Sequence, residues 1–341
     1  MNAVAFMDNG RVVTGGADGR VLIWRDGAVL AEHLGHTAPV AGLAVRDGLI
    51  ASASWDGTAR VWSPGGSARV LAGHAGQVNA VAFGPAGVVT GGYDGTIRLW
   101  RDDGSAEVMR LGPPVNAVVV AGDGEIAAGG ADGVLRLVHP DGAVRSLAVE
   151  STPLSGVALS VDGRSLAVVS LGGAAVVVER ATLAVRTVFL GTERPLWAVA
   201  WDGDAVVTGG VGRVVRWWDS RSGRQIGVYG VAGQETALPA GDRGAQVFRA
   251  CAACHSLSDD GVARAGPSLH GVFGRLVGSL PGYGYSQALR KMDLVWTPET
   301  VARLFEIGPQ AMTPGTKMPE QSIADAGDRA ALIRFLEGAT R

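Results

Sequence analysis

Between Met1 and Gly230 apolar positions alternate with small or polar ones over short runs. Examples are Val78-Asn79-Ala80-Val81-Ala82-Phe83 and Thr96-Ile97-Arg98-Leu99-Trp100, and the runs are separated by Asp-Gly or Gly-rich turns. Alternation of this kind sends successive side chains to opposite faces, and Asp-Gly reverses the chain tightly, so the pattern predicts antiparallel meanders of short strands. After Tyr229 the period changes. Asp242 stands where it can cap a helix running through Gly244, Val247 and Phe248, and the stretch 328–338 sets Leu332, Phe335 and Leu336 on one helical face. The expected organisation is multidomain: an all-β region over 1–230, a linker over 231–240 and an all-α domain over 241–341.

The β region repeats itself. The segments 17–24 (ADGRVLIW), 55–62 (WDGTARVW) and 93–100 (YDGTIRLW) are one pattern written three times, and Asp18, Asp56, Asp94 and Asp132 follow one another at a constant spacing. The position held by Trp24, Trp62 and Trp100 becomes Val138, Val178 and Trp218 in weaker later copies, which makes six. A single small sheet cannot bury both of its faces, so the copies must stack on one another.

The pairs Gly35-His36 and Gly73-His74, the Asp-Gly turns and the Trp that follows them resemble WD40 repeats. The resemblance implies a β-propeller of four-stranded blades. It also implies a hydrogen-bonded set in each full blade: His36, Ser52, Asp56 and Trp62 in the second copy, His74, Thr90, Asp94 and Trp100 in the third. The first copy keeps Thr14, Asp18 and Trp24, the sixth keeps Thr208 and Trp218, and the fourth and fifth have lost most of the set. These His and Asp residues recur at blade-fixed positions, so structural bonding explains them better than metal or acid-base chemistry. His33 and His139 stand outside the pattern and imply no metal site. The chain opens at Asn2-Ala3-Val4-Ala5-Phe6, by analogy already inside an innermost strand; an outer strand, or a whole seventh blade, is expected ahead of Met1.

Composition adds exclusions. Apolar residues form 47% of the 341 and charged ones 18%, enough core material to rule out disorder; 52 glycines without a Gly-X-Y period rule out collagen. A net charge of −2 offers no electrostatic reason for nucleic acid as a partner, and no apolar run reaches the length of a transmembrane helix. Two cysteines so close together cannot frame a disulfide-built fold.

Those cysteines stand in Cys251-Ala252-Ala253-Cys254-His255, the attachment signature of c-type haem. On one helical turn two thiols three residues apart can each reach a vinyl group of the porphyrin, and the next residue presents an imidazole to the iron. Zinc would need two more soft ligands, and the chain has no further cysteine; a thioredoxin-like site leaves His255 unexplained. The prediction is one covalent haem c with His255 as an iron ligand. Met318, in the constrained loop Pro314-Gly315-Thr316-Lys317-Met318, is the expected second ligand; Met292 and Met312 are alternatives, better read as packing residues.

From Gly241 to Arg341 the chain resembles class I cytochrome c of the mitochondrial and α-proteobacterial kind. Besides the attachment motif it carries 266–275 (GPSLHGVFGR), 281–286 (PGYGYS), Trp296 and the Met318 loop. The resemblance implies that the Pro267 carbonyl accepts the N–H of the ligating imidazole, and that Arg275, Tyr285 and Trp296 bond or neutralise the haem propionates. It further implies a structural role for His270 and a contact between terminal helices through Gly244, Phe248, Leu332 and Phe335. Leu304 or Phe305 replaces a Tyr that relatives often place near the Met ligand. The lysine-rich docking face of mitochondrial relatives is reduced to Arg275, Arg290, Lys291 and Lys317, with Gln310 and Ala311 ahead of the Met318 loop.

With His255 and Met318 both on the iron no coordination position is open, so the expected function is one-electron transfer between redox partner proteins rather than catalysis. The propeller is expected to supply a protein-docking scaffold. The alternatives are a redox enzyme whose propeller binds substrate while the haem relays electrons, and a haem-based sensor whose Met318 is displaced by a gas. In bacteria, haem attachment of this type takes place outside the cytoplasmic membrane, whereas Met1 to Asp8 has neither the basic start nor the apolar core of a signal sequence. A periplasmic protein with its signal segment ahead of Met1 is therefore expected.

Overall fold

The computed structural model describes residues 2–190, 195–212, 214–229, 238–239, 241–259, 266–316, Met318 and 321–340. Met1, Lys317 and residues 231–237 and 240 of the expected linker lie outside them.

The alternating runs form six four-stranded antiparallel sheets, each a meander in chain order. Blade one is β1 (Ala3–Phe6), β2 (Val12–Gly15), β3 (Val21–Arg25) and β4 (Ala28–His33). Blade two is β5 (Val40–Arg46), β6 (Leu49–Ser54), β7 (Thr58–Trp62) and β8 (Ala68–Ala72). Blade three is β9 (Val78–Gly84), β10 (Gly87–Gly92), β11 (Thr96–Trp100) and β12 (Ala106–Arg110). Blade four is β13 (Val115–Val120), β14 (Ile126–Gly130), β15 (Val134–Val138) and β16 (Val144–Ala148). Blade five is β17 (Leu154–Leu159), β18 (Ser165–Ser170), β19 (Ala175–Glu179) and β20 (Val185–Val188). Blade six is β21 (Leu196–Asp202), β22 (Ala205–Gly210), β23 (Val215–Asp219) and β24 (Gln225–Tyr229).

The cores of this region lie between blades. Val13, Val21, Val40, Ile50 and Trp62 join blades one and two, and four further clusters join two to three, three to four, four to five and five to six. Each fully buried branched side chain contributes roughly 1.5–3 kcal/mol relative to exposure, so stacking is what holds the sheets. Turn geometry sets the spacing. Gly95 has φ +71°, and a Cβ there would lie 2.2 Å from the Gly112 carbonyl oxygen, so the Asp94-Gly95 turn needs glycine both for its conformation and for its fit against the next connection.

The expected hydrogen-bonded set is complete in blades two and three. Trp62 Nε1–H donates to Ser52 Oγ at 2.8 Å, Ser52 Oγ lies 2.8 Å from His36 Nε2, and His36 Nδ1 lies 2.8 Å from Asp56. Trp100, Thr90, His74 and Asp94 repeat this at 2.9, 2.8 and 3.0 Å. Trp24 with Thr14 and Trp218 with Thr208 keep the indole end, at 2.7 and 2.8 Å. Where the His is missing, other chemistry takes over: Asp132 pairs with Arg136, and in blade five Glu150 occupies the His position and accepts a hydrogen bond from Ser170. His33 stacks on Trp62 with ring centroids 5.1 Å apart, and exposed His139 pairs with Asp141.

The second region is helical: α1 (Arg243–Phe248), α2 (Gln287–Arg290), α3 (Pro298–Ile307), α4 (Pro309–Met312) and α5 (Ala326–Ala339). Its core gathers Phe248, Cys251, Leu257, Val301, Leu304, Phe305, Leu332 and Leu336. Leu238, inside the stretch read as linker, packs against this core as well. No described helix is long and apolar enough to cross a membrane.

Candidate haem-binding site

Asp242 caps α1 by accepting the Ala245 N–H at 3.0 Å. Gly244 lets α1 approach α5 closely, since a Cβ there would come within 2.2 Å of the Ala331 carbonyl oxygen, and Phe248 meets Phe335 with centroids 5.5 Å apart. Crossed in this way, the two terminal helices hold the start of the attachment motif at the edge of the core.

The motif forms a tight 3-10 turn over Cys251–Ala253 rather than a full α-helical turn. The amides of Cys254 and His255 both donate to the Cys251 carbonyl at 3.0 Å, so one oxygen gathers the two thiols and the imidazole onto the same short loop. Both thiols are free rather than bonded to each other. Burial, reinforced by neighbouring Cys254, pushes the Cys251 thiol up to about 12, and burial also raises Cys254. In this apolar setting the thiols are held protonated.

His255 Nδ1 lies 2.7 Å from the Pro267 carbonyl oxygen. A ring that donates through Nδ1–H presents Nε2 as its metal-binding atom. Gly266 makes the approach sterically feasible: its N–H donates to the Cys254 carbonyl at 2.8 Å, and a Cβ on it would fall 2.5 Å from His255 Cε1. Leu269 N–H donates to the Ser256 carbonyl at 2.8 Å and fastens the other end of this loop.

Arg275 is turned toward that loop, donating to the Ser268 carbonyl at 2.7 Å and the His270 carbonyl at 3.2 Å; His270 itself is exposed. Burial lowers the Arg275 pKa against the opposing influence of Tyr285. Burial raises Tyr285 while Arg275 opposes it, and the Tyr285 ring meets Tyr283 edge-on at 4.7 Å. Trp296 packs on the core, and its backbone exchanges hydrogen bonds with the segment at Arg275.

Met318 packs against the core that contains Cys251, and its N–H donates to Thr316 Oγ1 at 3.1 Å. Met312, at the end of α4, packs against the same core, and Met292 is outside it. The structure therefore brings Cys251, Trp296, Met312 and Met318 to one cluster, with Cys254 and His255 on the adjoining turn. Leu304 and Phe305 are buried in that cluster. Lys317 of the expected basic rim lies outside the described residues.

The donor set fits a covalently held haem: two thiols, an imidazole oriented from behind by a carbonyl, a cleared space at Gly266, and thioethers on the same apolar wall. In the sequence Gly266 and Thr316 stand only as members of their motifs, with no role of their own. Gly266 has an ordinary φ, so only the position of the imidazole shows why a side chain is excluded there.

Comparison with known proteins finds two families, one at the start of the chain and one at its end. Residues 1–25, 27–63 and 65–101 match the family described as WD domain, G-beta repeat, and residues 241–340 match the family described as cytochrome c. A cytochrome c of Gibberella zeae is 38% identical over 100 residues, covering 29% of this chain and 93% of that protein. Cytochrome c 2.1 of Caenorhabditis elegans is 41% identical over 105 residues, 29% of this chain and 91% of its own length. Cytochrome c2 of Rhodomicrobium vannielii is 38% identical over 103 residues, 30% of this chain and 82% of its own length.

Proposed function

Through residues 241–340 the chain belongs to the cytochrome c family, which implies covalent haem c and electron transfer through it; from that premise we propose the following division of labour. Cys251 and Cys254 would hold the haem through thioether bonds, and His255 and Met318 would bind its iron; held in that way, the group would supply one-electron transfer with no open coordination position. The protein's own residues do the rest. Pro267 holds the imidazole by its Nδ1–H, Gly266 leaves room for the ring, Arg275 braces the loop through the Ser268 and His270 carbonyls, and Thr316 holds the Met318 amide. Arg275, Tyr285 and Trp296 would hold the propionates.

The propeller serves as a protein-docking scaffold, raising the local concentration of a redox partner near the haem. The protein works outside the cytoplasmic membrane, in the periplasm, the compartment in which bacterial haem attachment of this kind takes place. The observation that supports the electron-carrier reading is the His255–Pro267 hydrogen bond beside the emptied position at Gly266, because it leaves Nε2 as the ring nitrogen available to an iron.

The test is the visible spectrum of the matured protein, oxidised and reduced, with and without carbon monoxide. A low-spin spectrum with the weak Fe–S(Met) charge-transfer band and no response to carbon monoxide supports the assignment, and Met318→Ala should then abolish the band. Ready carbon monoxide binding by the unsubstituted protein would overturn Met318 as a stable ligand and move the function to sensing or catalysis.

A further inference from the structure

Gln310 is the residue of α4 whose side chain can donate a hydrogen bond; its companions there are Pro309, Ala311 and Met312. It is half-buried, and its Nε2 donates to the Thr316 carbonyl oxygen at 3.2 Å, across the turn that separates α4 from Met318. The turn itself is closed by local bonds. Thr313 N–H and Oγ1–H both donate to the Pro309 carbonyl at 2.8 Å, which seals the end of α4. Pro314 and Gly315 then reverse the chain, Gly315 with φ +81°, and Thr316 N–H returns to the Thr313 carbonyl at 3.1 Å. Beyond the turn, the Thr316 hydroxyl accepts the Met318 N–H at 3.1 Å. Thr316 thus carries Met318, and what fixes the Thr316 backbone fixes the thioether arm.

The local bonds do not hold that arm against the helix. A Pro-Gly turn closed by one hydrogen bond pivots about Thr313 and takes Thr316 and Met318 with it. The Gln310 amide spans the pivot and ties the moving side to α4. On the far side of Met318, Ile323 N–H donates to the Phe305 carbonyl on α3 at 2.8 Å, so the arm lies between two anchors. Thr316 is only 8% exposed, and while the arm is closed its carbonyl relies on the Gln310 N–H in place of water. Once the arm swings out, water serves instead. The bond therefore favours the closed arm over the open one.

We propose that Gln310 is a positioning residue whose amide latches the Thr316 carbonyl and so sets how often Met318 leaves the iron. This rests on the assignment of Met318 as an iron ligand. It gives Gln310 a task of its own, where the comparison of docking faces left it only as a missing positive charge. A neutral amide suits the task, because it donates to a half-buried carbonyl without the desolvation that an ammonium would suffer there. Small ligands reach the iron only while the arm is open. The latch therefore helps to decide whether the site behaves as a closed carrier or as one that small molecules can enter.

The test uses the matured, oxidised protein with imidazole as the entering ligand. Imidazole binds only after Met318 has left, so at saturating imidazole the Fe–S(Met) band disappears at the rate at which the arm opens. Gln310→Ala removes the donor, and Gln310→Glu keeps the size but presents an ionised carboxylate that can only accept. Both should raise the limiting rate roughly tenfold or more, with the band still present before imidazole is added. Hydrogen exchange at the Met318 amide should quicken in parallel. Glu306→Gln, an exposed change on α3, is the reference and should move neither reading. Limiting rates within about twofold of the unsubstituted protein in both Gln310 variants would overturn the proposal. So would a lower melting temperature without faster opening, which would make Gln310 a stabilising residue and no more. A missing Fe–S(Met) band in the unsubstituted protein would instead sink Met318 as a ligand, and exchange at the Met318 amide would still read the latch.

Discussion

His255 Nδ1 stands 2.7 Å from the Pro267 carbonyl oxygen, and the residue between that carbonyl and the attachment turn, Gly266, is the one whose side chain would occupy the imidazole's space. The hydrogen bond and the missing Cβ are two parts of one arrangement. Gly266→Ala forces a methyl within 2.5 Å of Cε1, so the ring or the loop must shift. The expected result is a protein that still carries covalent haem but shows a displaced or mixed-spin spectrum, measured by absorption and magnetic circular dichroism. An unchanged low-spin spectrum would mean that the loop relaxes without cost.

Ser52 is fully buried and joins Trp62 to His36. Ser52→Ala leaves the indole N–H and the imidazole Nε2 without this partner, at a cost of about 1–3 kcal/mol for each orphaned group. Thr14→Ala orphans one indole on a blade that lacks the His, and Trp24 is only partly buried, so its cost should be smaller. Urea unfolding of the two variants measures the difference, and equal losses would contradict the relay.

The same relay predicts acid sensitivity. Indole N–H to hydroxyl, hydroxyl to Nε2 and Nδ1–H to carboxylate is a consistent set of donors only when the imidazole is neutral. Burial holds His36 and His74 below the ordinary value of 6.5, outweighing the pull of Asp56 and Asp94. The unfolded chain therefore binds more protons just below pH 6.5, and stability falls as pH drops through that range. Desolvation works against Asp94, but hydrogen bonds from Ala75, Thr96 and His74 bring its pKa down to about 2, so a second loss follows between about pH 4 and 2. Thermal midpoints across the range from neutral to acid should show both steps, and replacing His36 and His74 together should shrink the upper one, leaving the part due to buried His33.

Gly244→Ala gains helix propensity of up to about 1 kcal/mol in principle. Against this, the new methyl meets the backbone oxygen of Ala331 at 2.2 Å and Phe335 Cβ at 2.5 Å, neither of which can swing aside. Overpacking of this kind costs about 1–3 kcal/mol, so the substitution should destabilise the haem domain. Thermal unfolding followed at the haem absorbance reads the sign directly.

Much of the fold was legible because its causes are local. Strand alternation, Asp-Gly turns and the constant spacing from Asp18 to Asp56 to Asp94 are properties of the chain read in order, and so is the closeness of two thiols and an imidazole in Cys251-Ala252-Ala253-Cys254-His255. Less legible were the substitutes inside the repeat. Glu150 stands one repeat after Gly112, where no side chain marks the position, so its pairing with Ser170 is invisible until the two strands lie side by side.

By itself, the sequence determined that the chain is a stack of six meanders followed by a helical domain bearing a haem-attachment turn, since periodicity and short spacings survive without tertiary contacts. Only the tertiary structure decided that Gly266 clears the His255 ring, that Gly244 is wedged against Ala331, and that Gly209 meets no neighbour among the described residues while Gly15, Gly91 and Gly129 each press on one. A glycine reads the same in all these places. What differs is the atom opposite it, which is brought there by packing between segments far apart in the chain.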